Sequence, residues 1–197
     1  MDPEQWAAWT PDQIADRLRG LRTRWAIAGG WAIDLFVGGT AREHDDLEIV
    51  VGPDGFAEVQ DALTDLEWFT AANGQVHAIG TVAARLDHTW QTWGWDPIAH
   101  RWRVDVIREP WTRDTWVYRR NRSLRRPLLQ AIELTYSGIP YLAPEIVLLF
   151  KAKHHRQKDE ADFDRSQHLL DVNQRGWLRS AIAADLPNHP WLERLGA

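Results

Sequence analysis

Apolar and polar positions first fall into a regular order at residues 10–21. Thr10, Pro11 and Gln13 read as an N-cap, a first-turn proline and a capping-box partner, opening a helix that runs to about residue 21. "WAIAG" (25–29) reads as a short buried strand, broken by Gly29 and Gly30. "WAIDLFV" (31–37) then reads as a helix that Gly38 and Gly39 end, and "LEIVV" (47–51) as a strand. Residues 53–66 predict an amphipathic helix with Phe56, Val59, Leu63 and Leu66 on one face.

The middle of the chain is strand-like. "QVHAIG" (75–80), "VAARLDHTW" (82–90) and "RWRVDVIRE" (101–109) carry β-branched residues and partial alternation, and "TWVYRR" (115–120) and "AIELTY" (131–136) read as extensions of the same sheet. "GIPYLAPE" (138–145), with two prolines, reads as a loop that bounds a helical part. Beyond it, residues 144–155, 159–172 and 174–186 predict three helices. The pattern divides the chain into a core, 1–138, and a C-terminal helical subdomain, 139–197.

Composition narrows the chemistry. A chain of 197 residues with 44% hydrophobic and 26% charged residues suits one soluble domain, or one domain with a helical appendage. The absence of cysteine excludes disulfides, zinc–thiolate sites and a cysteine nucleophile. No apolar run approaches a membrane span and the N-terminus has no apolar signal core, so the expectation is a cytoplasmic protein with no membrane partner. A net charge of −5 is not the balance of a general nucleic-acid binder. Thirteen tryptophans are abundant enough to ask for a reason. Packing explains most of them; the sharper reading is that Trp90, Trp93, Trp95 and Trp102 line a pocket for a flat or sugar-like ligand.

The acids carry the candidate chemistry. Alternate residues of a strand share a face, so Asp46 and Glu48 point together, with Leu47 and Ile49 on the other side. Two carboxylates pointing together repel, and a divalent cation removes that penalty. Asp105, between Val104 and Val106, joins them if its strand lies beside "LEIVV". Three carboxylates on neighbouring strands suit two ions roughly 3.5–4 Å apart, and oxygen ligands favour Mg²⁺, or Mn²⁺, over zinc. Gly29 and Gly30 at the head of a helix present bare N–H groups suited to phosphate.

The run "GGWAIDLFVGGTAREHDDLEI" (29–49) resembles the signature of the DNA polymerase beta-like nucleotidyltransferase superfamily. Its nearest resemblance is to the aminoglycoside 2''- and lincosamide nucleotidyltransferases, with Arg42, His44 and Asp46 matching their approach to the acids and "YLAPEIVLLFKAKHHRQKDEADF" (141–163) their helical segment. The likeness implies an α+β fold: a nucleotidyltransferase-type mixed β-sheet flanked by helices, with a C-terminal helical segment. It implies metal-dependent transfer of a nucleoside monophosphate, AMP from ATP, to a hydroxyl of a cationic, aminoglycoside-like antibiotic. Gly29 and Gly30 would cradle the triphosphate, Asp46 and Glu48 would hold the two Mg²⁺ ions, and Asp105 would be a third ligand or the general base. Glu48 stands where the antibiotic enzymes often have Asp.

Other residues are read with their alternatives. Arg42 suits a phosphate contact, His44 either orients a neighbour or touches phosphate or else has a surface or packing role, and Lys151 either reaches the triphosphate or lies on an outer face. Asp34 reads as a structural salt bridge, Asp45 as solvated, and His154, His155 and Asp159 as helix surface rather than a metal cluster. Asp87 and Asp96 are candidates to meet the acceptor's ammonium groups. The arginines at 113, 119, 120, 122, 125 and 126 are either solvated or dock an anionic partner such as tRNA. Two rivals therefore stand beside the antibiotic reading: a toxin-type nucleotidyltransferase acting on tRNA or protein, and a nucleotide-binding module without turnover.

Overall fold

The computed structural model describes residues 2–72, 74–81, 84 and 89–196. In chain order the elements are α1 (Pro11–Arg17), β1 (Trp25–Ile27), α2 (Gly29–Val37), β2 (Glu48–Val51), α3 (Gly55–Ala62), β3 (Glu67–Ala72), β4 (Gln75–Ala78), β5 (Gln91–Asp96), β6 (Arg101–Arg108), β7 (Thr115–Val117), β8 (Arg125–Pro127), α4 (Leu128–Ala131), β9 (Ile132–Leu134), β10 (Pro140–Leu142), α5 (Pro144–His154), α6 (Gln157–Ser166), α7 (Val172–Asp185) and α8 (Trp191–Leu195). Eight strands make one mixed sheet in the order β4-β3-β5-β6-β2-β1-β10-β9, and β7 pairs with β8 in a separate ribbon. Pairing is parallel between β2 and β6 and between β1 and β10, and antiparallel elsewhere. The mixed sheet flanked by helices, ending in helices α5 to α8, is the α+β architecture that the sequence implied.

Local chemistry explains most element ends. Thr10 accepts from the Gln13 amide and the Gln13 side chain returns to the Thr10 amide, closing the capping box of α1. This helix stops at Arg17, earlier than the periodicity predicts, and Gly20 follows in the left-handed region at φ 84°. Gly38 (φ 78°) ends α2 as expected. The helix predicted over 53–66 is only Gly55–Ala62, although Leu63 and Leu66 are still buried.

Several strands differ from the sequence reading. Pro140–Leu142 is β10, inside the sheet rather than a loop; its proline is the first residue, where a missing N–H is tolerated. The periodicity did not separate β3 and β5. In β3 four consecutive residues, Trp68 to Ala71, are buried, which erases alternation, and β5 carries a bulge at Gly94/Trp95. The "TWV" strand joins the β7–β8 ribbon, while "IEL" is the sheet edge β9. Most of the strand expected over 82–90, with Asp87, lies outside the described residues.

The main core gathers Ile27, Ile33, Leu47, Ile49, Val106 and Leu148, all fully buried. A second cluster corrects the expected tryptophan pocket. Trp102 is fully buried and meets Trp6, Phe69, Trp93 and Trp95 at ring separations of 4.8–6.4 Å, so these rings fill space rather than line a cavity. Trp90 stands apart, 45% exposed, and lines a separate cavity with Phe56, Arg108 and Pro110. The Trp102 indole N–H donates to the Asp2 carbonyl, which pins the N-terminal segment to β6. Among the described residues no helix is long and apolar enough to cross a membrane.

Truncating the centre of this cluster has a definite cost. Trp102→Ala is expected to destabilise the fold by about 3–5 kcal/mol, and Trp90→Ala to stay within about 0.5 kcal/mol of the parent. Urea denaturation of the two variants measures both.

Candidate active site

The β2–β6 register sets Glu48 directly opposite Asp105 on adjacent parallel strands. Asp105 is 2% exposed; its Oδ2 accepts from Gln91 Nε2 at 2.6 Å, and its Oδ1 has no partner. Burial, followed by the charge of Glu48, pushes the Asp105 carboxyl up to about 8. Burial and then Asp46 raise Glu48 as well, against the lowering effect of Lys151 and Arg119. Asp46 is not in the strand. It is exposed, two residues before β2 begins, because β1 ends at Ile27 and the chain turns into α2. Its charge still acts on both partners. Among the described residues, no three His, Cys, Asp or Glu side chains converge closely enough to hold an ion as they stand.

The two glycines serve different neighbours. Gly29 opens α2 at φ 62°, and a Cβ there would overlap Glu48 Oε2, so the carboxylate needs the bare backbone. A Cβ on Gly30 would lie 2.5 Å from Arg42 Nη2 and from His44 Cε1. The α2 N-cap, Ala28, gives no side-chain cap, so the first amides of the helix are left to face the cleft that Ala28 and Gly29 line. Arg42 lies beside Gly30, 3.8 Å from the Asp162 oxygen that also takes Lys151, and is not among the cavity-lining residues. His44 bonds Asp34 at 2.6 Å and packs on Trp31, and Arg165 takes the second Asp34 oxygen at 2.6 Å. Asp34 is thus the structural salt bridge the sequence suggested, and it ties the loop carrying the acids to α2 and α6.

A cavity of about 250 Å³ lies between this face of the sheet and α5. Its wall includes Gly29, Glu48, Val50, Ile107, Glu109, Phe150 and Lys151. Lys151 is buried rather than on an outer face, with Nζ 2.8 Å from Asp162 and 3.4 Å from Asp159. Asp159 also accepts from Arg156 and His155 bonds Glu160, so that segment is an ion-pair network. Asp96 caps the β5–β6 turn through the Ile98 and Ala99 amides and pairs with Arg103 at 3.1 Å, away from the cavity wall.

The arginine run divides. Arg119 and Arg120 line the cavity, Arg126 pairs with buried Glu145 at 2.7 Å, and Arg113, Arg122 and Arg125 are exposed. Arg119 bonds Glu109, which is fully buried. The sequence reading missed Glu109, Arg119 and Arg120 as cleft residues. Period two from Asp105 through Ile107 reaches Glu109 on the same face, and that signal was available; the arginines carried none.

The raised Asp105 has a consequence for stability. With an ordinary value of 3.8 and a folded value of about 8, the folded state holds a proton that the unfolded chain has released. Asp105 therefore stabilises the fold fully below pH 3.8, and this is lost as pH rises toward 8. In chelator-treated protein, Asp105→Asn is expected to raise the melting temperature at pH 8 more than at pH 5, and Mg²⁺ to do the same for the parent. Thermal melts across that range test it, and an unchanged difference between the two pH values counts against it. Gly29→Ala is expected to lose about 1–2 kcal/mol from the left-handed backbone alone and to weaken the Mg²⁺ effect by displacing Glu48, read in the same melts.

The family described as Aminoglycoside-2''-adenylyltransferase matches residues 12–77, the stretch from α1 into β4 that holds Gly29, Gly30, Asp46 and Glu48. No curated protein sequence matches the chain. Among solved structures, the antibiotic-resistance factor ANT(2'')-Ia in solution is similar over 89% of this chain and 90% of its own, with TM-score 0.59 and 12% identity. ANT(2'')-Ia in complex with adenylyl-2''-tobramycin gives TM-score 0.59 at 11% identity, over 88% and 95%. The lincomycin-bound lincosamide adenylyltransferase LnuA gives TM-score 0.55 at 18% identity, over 81% and 95%. Identities this low speak for the fold, and the family match speaks for the segment that carries the glycines and acids. The family match covers residues 12–77 only, and over the rest of the chain the likeness is one of fold.

Proposed function

We propose that this protein is an adenylyltransferase that moves AMP from ATP to a hydroxyl of a small antibiotic and releases pyrophosphate. The observation that carries the reading is the Glu48–Asp105 pair at the head of α2, beside a cavity floored by the sheet. The residues fit a divalent cation: Asp105 Oδ1 is buried without a partner, burial raises both carboxyls, with Glu48 adding to the rise of Asp105 and Asp46 to that of Glu48, and the donors are all oxygen. Glu48 and Asp105 would hold Mg²⁺, with Asp46 closing in from the surface. The bound ions would supply neutralisation of the charge that builds on the leaving pyrophosphate.

The chain's own groups supply the rest. The free amides at the start of α2 bind phosphate oxygens, and Gly29 keeps that approach open. Asp105, in its ionised form and through an oxygen not committed to the ion, accepts the proton of the attacking hydroxyl, the hydroxyl oxygen bonds to the α-phosphorus, and the bond to the bridging oxygen breaks with its electron pair leaving on pyrophosphate. Lys151, committed to Asp159 and Asp162, fixes α5 against α6 at the cavity wall. Positioning and charge carry most of such a reaction. The favoured acceptors are aminoglycosides and lincosamides, on the family match and on the ligands of ANT(2'')-Ia and LnuA. The division of the arginine run leaves no continuous basic face among its described members, which weighs against a tRNA substrate.

Incubation with labelled ATP, Mg²⁺ and a panel of both antibiotic classes, read by mass shift, is expected to give an adenylylated product. Glu48→Gln and Asp105→Asn are each expected to cut the rate by about 10²-fold or more while the folded circular dichroism spectrum persists. Near-normal rates in both variants overturn the assignment. ATP binding with no pyrophosphate release across the panel favours a module without turnover.

A further inference from the structure

Arg119 and Arg120 lie on the connection between β7 and β8, and both guanidinium groups stand over the Phe150 ring of α5, at 4.6 and 5.3 Å from its centre. Both line the cavity. Arg119's charge is felt at Glu48, whose carboxyl it lowers, and Glu48 and Asp105 in turn support the charge on Arg119. A planar cation is therefore held beside the two acids, on an aromatic platform, in the geometry that matches phosphate oxygens.

The acid that now occupies Arg119 is costly. Glu109 is fully buried; one oxygen takes Arg119, and Oε2 has no partner. A buried carboxylate left half-satisfied is disfavoured, and nothing in the core requires an acid at this position, where the alternation from Asp105 through Ile107 points into the cavity. Its use is to neutralise an arginine that is itself poorly hydrated. Of the other cations near the acids, Lys151 has two carboxylates, Arg156 pairs with Asp159 and Arg42 shares Asp162 with Lys151, while Lys158 adds its charge at Glu48. Arg120 bonds the Phe150 carbonyl and His154, whose pKa burial and the arginine charges push down, so it brings charge to the cleft against acceptors that are not acids.

We propose that Arg119, with Arg120 beside it, is a phosphate ligand of the nucleotide, and that Glu109 is a stand-in anion that holds Arg119 until the triphosphate displaces it. This rests on the reading of the cleft as a nucleoside triphosphate site. Glu109 thereby competes with the substrate, and the apparent affinity for ATP is lower than the cleft would give with Arg119 free. Glu109 is a positioning residue; Arg119 is the one that touches phosphate.

The test titrates the full chain with Mg·ATP and with adenosine, followed by tryptophan fluorescence. Arg119→Gln is expected to weaken ATP about tenfold or more and leave adenosine unchanged, with Arg119→Lys between it and the parent. Glu109→Gln is expected to tighten ATP severalfold without changing adenosine, a gain that a merely structural role for Glu109 does not produce. If the parent chain binds ATP but Arg119→Gln and Arg119→Lys bind it equally well, Arg119 is no phosphate ligand. If Glu109→Gln, still folded by circular dichroism, weakens ATP as Arg119→Gln does, Glu109 is a strut and the displacement idea falls. A parent chain that binds neither ligand overturns the nucleotide reading itself, which is a separate failure.

Discussion

The parallel pairing of β2 with β6 is the constraint on which the rest depends, because it sets Glu48, half-buried at the cavity wall, beside the buried Asp105. The register has no freedom to relieve the repulsion. Ile49 and Val106, the next pair along, are fully buried on the opposite face, and a slip of one residue would turn them toward the cleft and the acids into the core. Hydrophobic burial on one face of the sheet thus holds two like charges together on the other. Effective penalties for such buried ions run to several kcal/mol each. The surroundings soften the repulsion without removing it: Gln91 donates to Asp105, Gly29 gives Glu48 room, and Lys151 and Arg119 lend positive charge.

Around that pair, ion networks fix three elements that would otherwise move independently. Asp34, His44 and Arg165 tie the loop that carries Asp46 to α2 and α6. Lys151, Asp159, Asp162 and Arg156 tie α5 to α6. Arg126 and Glu145 tie β8 to the start of α5. Buried pairs of this kind add little net stability over apolar packing, but removing one partner strands the other. Their value here is geometric: helix α2, the strand edge and α5 bound one cleft, and its width is set by these contacts.

Much of this arrangement was legible in the sequence, and the limits have physical causes. The capping box at Thr10, the glycine-led helix, the "LEIVV" strand and an acid isolated between two valines are local signals, and local chemistry produced each of them. The side-by-side placement of Glu48 and Asp105 was stated as a condition, since strand neighbours follow from topology rather than from spacing; the register meets that condition. Asp46 falls just outside the strand, since alternation says nothing about where a ladder ends. The strands β3 and β5 were hidden by burial on both faces and by a bulge, and β10 by its proline. The tryptophans were ambiguous because the same rings that suit a ligand also suit each other, and here they chose each other. Arg119 was invisible as a cleft residue: only the fold of the β7–β8 connection over Phe150 distinguishes it from Arg122 or Arg125, which are exposed.

The cleft is also where the protein is least satisfied. Asp105 is driven up to about 8 and Arg119 down to about 10, an acid and a base each pushed toward neutrality, and in both cases burial is the largest cause. Opposite charges that had solved one another's problem would shift the other way. Asp105 and Glu109 each keep an oxygen without a partner in the same neighbourhood. Such a site is stable only because the apolar face of the sheet and the helical ion pairs hold its walls in place, and it gains more from a ligand bearing both phosphate and cation than from either alone. Phosphate by itself meets the raised acids, and a cation by itself leaves Arg119 on Glu109. On the proposed function a metal–nucleotide complex would meet both demands at once, and the same desolvation that weakens the free fold would favour the loaded cleft.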